Sequence, residues 1–126
     1  MRVVLLLAIF GLSLPAQRLD PIQWTAISSE KEGKTVIQLT AQSEQPWHLY
    51  SMTTPRPPIA TTAKIEGVED LEIFQPSPQR KFDPNFEAET ETFDGETIFF
   101  LRGTVPANSK ISIRYQACTD TQCLPQ

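Results

Sequence analysis

The sequence predicts an all-β protein with an immunoglobulin-like β-sandwich fold. Short segments in which apolar and polar residues alternate recur along the chain, and a period of two is typical of strands. Prolines and glycines interrupt these segments at intervals that would break a helix. The chain has 126 residues, of which 40% are hydrophobic. That length and composition support one packed domain, without an internal repeat.

About eight segments fit the alternating pattern, enough for two packed sheets. The clearest lies near the carboxyl end, where Ile111, Ile113 and Tyr115 alternate with polar residues. The dipeptide Asp94-Gly95 separates two segments and predicts a hairpin, because glycine accepts the positive φ of a tight turn. The predicted strands cover residues 22–27, 35–41, 47–50, 61–66, 71–74, 86–93, 97–103 and 110–115.

The inward faces of these strands define the predicted core, and a polar stretch over residues 30–34 predicts the first turn. Large apolar side chains at alternate positions are expected to pack between the sheets. The predicted core residues are Trp24, Ile37, Leu39, Phe99, Leu101, Ile111, Ile113 and Tyr115.

Residues 1–16 have the pattern of a secretory signal peptide. Arg2 precedes an apolar run of about ten residues, and small residues follow, with a predicted cleavage site after Ala16. The run is too short to cross a membrane, which requires roughly 20 apolar residues. We therefore expect an exported protein whose mature domain covers residues 17–126 and contains no membrane span.

Charge and donor residues argue against several kinds of partner. The formal net charge is −4 and the pI is near 4.9, whereas nucleic acid attracts basic surfaces. Zinc requires four ligands, and the soft or borderline donors are only Cys118, Cys123 and His48. A nucleophilic Cys123–His48 pair would need a free thiol and an oxyanion hole that no motif indicates. We expect no nucleic acid, no metal and no cofactor.

Cys118 and Cys123 are the strongest chemical signal in the sequence. Outside the cytosol, two thiols with four residues between them can persist as a disulfide. Closing so short a loop constrains the unfolded chain by only about 2 kcal/mol, and a bridge at a loop edge is accessible to an attacking thiolate. The pair is interpreted either as a structural bridge or as a redox-active pair.

Three segments carry motifs that occur together in a known family. Segment 115–125 reads Tyr-Gln-Ala-Cys-Thr-Asp-Thr-Gln-Cys-Leu-Pro, segment 45–51 contains Trp-His-Leu-Tyr, and segment 91–95 reads Glu-Thr-Phe-Asp-Gly. In this order they resemble the active-site signature, the aromatic strand and the cap loop of the N-terminal periplasmic domain of the thiol:disulfide interchange protein DsbD. The matches span most of the mature chain.

This resemblance implies an immunoglobulin-like fold and thiol–disulfide exchange in the periplasm. By position, Cys123 matches the cysteine that forms mixed disulfides with partners, and Cys118 matches the cysteine that resolves them. Phe93 matches the residue that caps the bridge, and Tyr50 and His48 would line the same site. Electrons would come from a membrane-embedded donor, in trans or in a longer polypeptide. They would pass to thioredoxin-like periplasmic proteins, as in cytochrome c biogenesis.

The chain differs from the family in two respects. Four residues separate its cysteines, where better-known members have five, and the sequence ends at Gln126, where the family continues into a further strand. The second difference predicts either a domain truncated at its carboxyl end or a stand-alone carrier.

Acidic residues surround the predicted site. Asp120 lies between the thiols, Glu87, Glu89 and Glu91 precede Phe93, and no Lys or Arg adjoins them in sequence. Because negative charge disfavours a thiolate, the reduced pair is predicted to react slowly until a partner docks. The glutamates also alternate with neighbouring residues, so the solvated face of a strand is the other interpretation.

A second function remains open on the sequence alone. The domain could be an extracytoplasmic module that binds protein or carbohydrate, with a purely structural disulfide. The first interpretation makes the chain a protein-disulfide reductase component, and the second makes it no enzyme. The reduction potential of the bridge distinguishes the two.

Overall fold

A computed structural model describes residues 20–125, which form ten β-strands. The predicted signal peptide, residues 1–16, lies outside the described residues. Over residues 20–125 there is no helix that is long and apolar enough to cross a membrane. The strands are β1 (Ile22–Lys31), β2 (Lys34–Ser43), β3 (His48–Tyr50), β4 (Thr62–Ile65), β5 (Glu72–Phe74), β6 (Gln79–Asp83), β7 (Ala88–Phe93), β8 (Glu96–Gly103), β9 (Ile111–Arg114) and β10 (Ala117–Cys118).

Two four-stranded sheets enclose the core, as the predicted sandwich requires. The first sheet has the order β1-β2-β8-β5 and the second has the order β10-β3-β7-β6. β4 and β9 form a separate two-stranded sheet. All strand pairs are antiparallel. The all-β prediction is therefore confirmed for the described residues.

The longest hairpin joins β1 to β2 through a two-residue turn. The register runs from Ile22 opposite Ser43 to Lys31 opposite Lys34. The turn residues Glu32 and Gly33 have φ angles of 54° and 77°. Positive φ at both positions gives the turn a twist that matches the strands, and glycine adopts it without steric cost.

Side chains from both sheets meet in one hydrophobic core. β2 and β8 supply the first side of it, and Leu49, Phe93 and Ala117 supply the second. The predicted core is confirmed, since every residue in it is buried or packs against the buried cluster. The buried ones are Ile37, Leu39, Phe99, Leu101 and Tyr115, and the half-buried ones are Trp24, Ile111 and Ile113.

Tyr115 fixes the beginning of the described chain to the segment that leads into β10. Its hydroxyl donates a hydrogen bond to Asp20 Oδ2, 95 residues earlier in the sequence. Its ring centroid lies 5.3 Å from that of Trp24 in β1. Burial, together with the hydrogen bond to Asp20, raises the pKa of the Tyr115 hydroxyl. The Tyr115 hydroxyl therefore keeps its proton, and can donate it to Asp20, throughout the ordinary pH range.

Each predicted strand segment overlaps a strand of the structure, and two further strands were not predicted. β6 lies between Pro78 and Pro84, and its residues are mostly polar. It is an edge strand of its sheet, where flanking prolines are tolerated. β10 has two residues, too few to show any period.

Candidate active site

The two cysteines lie opposite each other in a short hairpin, residues 117–124, which we call the cysteine hairpin. β10 ends at Cys118, whose ladder partner in β3 is His48. The chain then reverses, and Cys118 forms a β-bridge and a disulfide with Cys123. The S–S distance is 2.09 Å and the Cα–Cα distance is 4.0 Å. The disulfide closes this hairpin locally and does not link the two sheets.

Thr119 organises the turn between the cysteines. Its backbone N–H donates to the Gln122 carbonyl at 2.8 Å. Its Oγ1 accepts hydrogen bonds from the backbone N–H groups of Thr121 and Gln122, both at 3.2 Å. Beyond the bridge, the Leu124 N–H donates to the Ala117 carbonyl at 2.9 Å. Hydrogen bonds therefore hold the reversal on both sides of the disulfide.

The two halves of the bridge differ in exposure. Cys118 is fully buried, whereas Cys123 is half-buried. Asp120, at the tip of the hairpin, has a side chain that is 71% exposed. A thiolate that approaches from solvent therefore reaches Cys123 and not Cys118.

A buried polar cluster lies on the face of the second sheet that carries Cys118. Residues opposite each other in a ladder, and residues two apart in a strand, share a face, so His48 and Tyr50 lie on this face. The Tyr50 hydroxyl donates to Asp83 Oδ2. His48 Nε2 lies 3.0 Å from the Tyr50 oxygen and 3.6 Å from Asp83 Oδ2. All three side chains are at most 2% exposed.

Asn85 connects this cluster to the cysteine hairpin. Its backbone N–H and its Nδ2 donate to Asp83 Oδ1, at 2.9 and 3.0 Å. The same Nδ2 also donates to the Thr119 carbonyl at 2.6 Å. Next to it, the ring of Phe86 contacts Tyr50 edge-on, with centroids 6.0 Å apart. Segment 83–86 therefore packs against the cluster and holds the turn that carries the disulfide.

The environment of the cluster shifts the pKa of each member. Burial, assisted by the charge of Lys81, lowers the pKa of His48 despite the opposing effect of Asp83. Burial and the bond to Asp83 raise the pKa of Tyr50. Burial alone would raise the pKa of Asp83, but hydrogen bonds from Tyr50 and Asn85 outweigh it and the net shift is downward. At neutral pH, His48 and Tyr50 are neutral and Asp83 is charged.

The side chain of Lys81 lies beside the acidic tip of the cysteine hairpin. Lys81 Nζ lies 3.6 Å from Asp120 Oδ1, with side chains 31% and 71% exposed. The sequence indicated no adjacent Lys or Arg, and the structure corrects this because the unpredicted strand β6 brings Lys81 to the site. The surroundings of the two cysteines therefore include a positive charge as well as negative ones.

The structure places Phe93 and Glu91 away from the face that carries Cys118. Phe93 is the ladder partner of Leu49, so it points into the core, where it meets Phe99 edge-on at 5.7 Å. Glu91 lies two residues before Phe93 in β7, so it is on the same face of the strand. Its side chain accepts hydrogen bonds from Ser51 and from Thr53. Those hydroxyl groups lower the pKa of Glu91. The predicted role of Phe93 as a cap stays a prediction, and this placement does not support it.

Sequence reasoning missed the residues of segment 81–86. The available signal was Asp83-Pro84, because an aspartate followed by proline indicates a side-chain-bonded turn. The pairing of Asp83 with Tyr50 spans 33 residues and carries no local signal. Over residues 20–125, no group of three or more His, Cys, Asp and Glu side chains has an arrangement that could hold a metal ion.

The fold and the site together define a β-sandwich domain with a local disulfide beside a buried polar cluster. A family model described as "Thiol:disulfide interchange protein DsbD, N-terminal" matches residues 16–126. The chain therefore belongs to this family, and the resemblance noted from the sequence motifs is confirmed. No curated protein matches the chain in a sequence comparison.

Two of the solved structures that match this chain illustrate the shared fold. The N-terminal periplasmic domain of ScsB from Proteus mirabilis superposes with a TM-score of 0.73 and 20% identity, over 90% of this chain and 45% of that one. The reduced N-terminal domain of DsbD from Neisseria meningitidis gives a TM-score of 0.57 and 13% identity, over 81% of this chain and 77% of that one. The chain thus spans less than half of the ScsB structure. The fold is immunoglobulin-like, as predicted.

Proposed function

We propose that this chain is a periplasmic thiol–disulfide exchange domain that passes electrons to partner proteins through Cys118 and Cys123. The observation that carries the proposal is the asymmetry of the bridge, in which one cysteine is half-buried and the other is fully buried. An exchange reaction needs one sulfur that a partner can reach and one that resolves the intermediate. Membership of the DsbD N-terminal family supports the same class of reaction.

The electrons enter through attack on the more exposed sulfur. A thiolate of a donor protein attacks Cys123 Sγ, the Cys118–Cys123 bond breaks, and Cys118 leaves as a thiolate that takes up a proton. A second donor thiolate then attacks the donor sulfur of this mixed disulfide and releases Cys123. The donor is left as a disulfide, and the domain holds two electrons as two thiols.

The electrons leave by the reverse order of steps. The Cys123 thiolate attacks a disulfide of the acceptor, and one acceptor sulfur departs as a thiolate. Cys118 then attacks Cys123 Sγ, which restores the Cys118–Cys123 bond and releases the second acceptor sulfur. The acceptor is reduced by two electrons, and no cofactor is needed.

Five of the predicted site residues contribute to this proposal. Cys123 and Cys118 react, His48 and Tyr50 form the buried wall beneath Cys118, and Asp120 lies at the exposed tip. The contacts described above add four further residues to the proposed site, namely Asp83, Asn85, Lys81 and Phe86. Phe93 and Glu91 are left out, because they belong to the opposite face of the sheet.

The proposed partners are thioredoxin-like periplasmic proteins as acceptors and a membrane-embedded thiol protein as donor. The family description supports thiol–disulfide partners in general. The structure of ScsB is described as that of a periplasmic domain, and the signal peptide predicted for residues 1–16 leads to the same compartment.

Trapping with single-cysteine variants tests the proposal. Cys118→Ala leaves the half-buried Cys123 as the only thiol, and we expect it to form a covalent, reductant-sensitive complex with a thioredoxin-like protein supplied as its disulfide. Cys123→Ala is the matched control, and we expect no complex because its remaining thiol is buried. Absence of a complex with both variants, together with a potential below about −300 mV, would identify a structural bridge.

One observation favours a binding module as the second candidate. Phe74 and Phe100 are ladder partners on the outer face of the first sheet, 51% and 44% exposed, and Ile27 lies in the same row at 67%. Exposed apolar rows of this kind are common in protein-binding surfaces. The test is a Phe74→Ser, Phe100→Ser variant that stays folded. If Cys118→Ala traps no partner, and this variant no longer binds a protein or carbohydrate that the wild-type chain binds, the second function replaces the first.

A further inference from the structure

The single histidine of the chain lies directly across the sheet from the buried cysteine. His48 and Cys118 are ladder partners, and opposed side chains have Cβ atoms about 4.5–5.5 Å apart. His48 is 2% exposed and Cys118 is fully buried. The imidazole and the sulfur are therefore neighbours on one buried face of the sheet, away from bulk water.

The hydrogen bonds of the cluster determine which nitrogen of His48 is basic. Tyr50 has one hydroxyl proton, and it is donated to Asp83. The contact of 3.0 Å between His48 Nε2 and the Tyr50 oxygen therefore requires the imidazole to be the donor. The neutral ring then carries its proton on Nε2, and Nδ1 is the nitrogen that can accept another.

Groups from several elements face His48 and set its charge state. Tyr50 lies on the same strand, β6 contributes Asp83 and Lys81, and Asp94 follows β7. Burial and the charge of Lys81 lower the pKa of His48, while the two aspartates oppose them. Asp120 of the cysteine hairpin is paired with Lys81. The net result is a neutral imidazole at pH 7, which is the form that can act as a base.

We propose that His48 exchanges a proton with Cys118 during disulfide exchange. The inference deepens the proposed function and rests on it. Burial disfavours a charged thiolate, yet Cys118 must attack as a thiolate when it resolves a mixed disulfide on Cys123. His48 Nδ1 takes the proton of the Cys118 thiol, and Asp83 stabilises the imidazolium through Tyr50.

The step balances in atoms and electrons. The Cys118 S–H proton moves to His48 Nδ1, and the thiolate attacks Cys123 Sγ. The Cys118–Cys123 bond forms while the bond from Cys123 to the acceptor sulfur breaks. The acceptor leaves as a thiolate with the two electrons, and His48 releases its proton to solvent or to that thiolate.

Reaction of the fully reduced chain with an aromatic disulfide such as Ellman's reagent separates the two thiols. Attack by Cys123 releases one coloured thiolate and leaves a mixed disulfide, and attack by Cys118 releases the second. The Cys118→Ala variant identifies the first release, because it can produce only one equivalent. The rate of the second release is measured from pH 5 to pH 9 for the wild-type chain, His48→Gln and His48→Tyr.

In the wild-type chain we expect the second release to be fast at pH 7 and to slow as acid protonates His48. Glutamine at position 48 can still donate to Tyr50 but cannot accept a proton, so the second release should be slower by about tenfold or more at pH 7. This deficit should close toward pH 9, where hydroxide takes the proton. The first release should be unchanged. His48→Tyr keeps an aromatic ring in the pocket and should show the same deficit if the glutamine variant does not fold.

The outcomes separate this inference from the proposed function. A second release that is unchanged in both variants, or slowed by the same factor at every pH, would overturn the role of His48, since a merely structural residue leaves the pH profile alone. Failure of the wild-type chain to give even the first release would instead overturn the exchange function, whatever His48 does.

Discussion

The β1–β2 hairpin and the cysteine hairpin both reverse the chain, but different interactions hold them. Ten register pairs and the Glu32-Gly33 turn hold the first hairpin without any cross-link. The second has one short ladder, and it depends on the disulfide, on Thr119 and on the Asn85 side chain. The first builds the core through Leu39 and its neighbours, while the second carries the disulfide.

This difference predicts that the sandwich stays folded when the disulfide is broken. The energy that holds the sandwich together comes from buried side chains of the long strands, which the disulfide does not touch. The energy that shapes the site comes from hydrogen bonds among buried polar groups. Substitutions in the two regions should therefore affect different measurements.

Phe99→Ala should produce the largest loss of stability. The Phe99 ring is fully buried between Trp24 and Phe93, and removal of such a ring costs about 3–5 kcal/mol. Urea unfolding measures this loss, and Phe100→Ala, at the exposed neighbouring position, is the control, with an expected change within about 0.5 kcal/mol. Slower disulfide exchange by folded Phe99→Ala protein would show that the two regions are coupled.

Asp83→Ala should have the next largest effect, in the site region. It removes the acceptor of the buried Tyr50 hydroxyl and of two hydrogen bonds from Asn85. An unsatisfied buried group costs about 1–3 kcal/mol, so the free energy of unfolding should fall by about 2–3 kcal/mol. Glu69→Ala, at an exposed position away from the cluster, is the control. Equal losses for the two variants would mean that the buried cluster does not stabilise the fold.

Reduction of the disulfide should cost about 2 kcal/mol, the value for a loop of six residues. The reduced chain should keep its far-ultraviolet circular dichroism and unfold in one transition at lower urea. The Cys118→Ala, Cys123→Ala variant should show no dependence on reductant. Complete unfolding on reduction would contradict the separation of the two regions.

Acid should weaken the fold through His48. Its pKa in the folded chain is lowered, so between that value and its ordinary value of about 6.5 the unfolded chain binds more protons. The free energy of unfolding therefore has its full contribution from His48 above about pH 6.5. Below that pH it falls, by no more than about 1.4 kcal/mol per pH unit. Asp83, whose pKa is also lowered, adds a loss below about pH 4. Unfolding at a series of pH values should show the first loss in the wild-type chain and not in His48→Gln.

Lys81→Gln should have the smallest effect on stability. The Lys81–Asp120 pair is partly exposed at 3.6 Å, and such pairs contribute about 0–1 kcal/mol. Lys64→Gln, at an exposed position of β4, serves as the matched control in the same urea titration. A loss above about 2 kcal/mol would mean that this pair holds the cysteine hairpin in place.

Local pattern was enough to predict most of the fold. Ile37 and Leu39, like Phe99 and Leu101, alternate with less buried residues, and a period of two directly encodes one inward face. The same rule could not find β6, because its sequence is polar and prolines flank it. The strand prediction therefore depended on a buried apolar face, and it could not identify an edge strand that has little buried apolar surface.

The candidate site was only half predictable for a related reason. The cysteines and the Trp-His-Leu-Tyr segment carry motifs that can be read in order along the chain. The partners of His48 and Tyr50 come from Asp83 and Asn85, which are distant in sequence and meet them only through sheet pairing. Phe93 was assigned to the site from its place in a motif, yet its register opposite Leu49 directs it into the core.

The clasp between Asp20 and Tyr115 has a consequence for how the domain assembles in the cell. Synthesis from the amino end makes Asp20 early, but the Tyr115 hydroxyl that it binds follows 95 residues later. The two ends of the sandwich can therefore join only when nearly all of residues 20–125 have been made. Cys118 and Cys123 come later still, so the disulfide can close only after both partners of the clasp have been made.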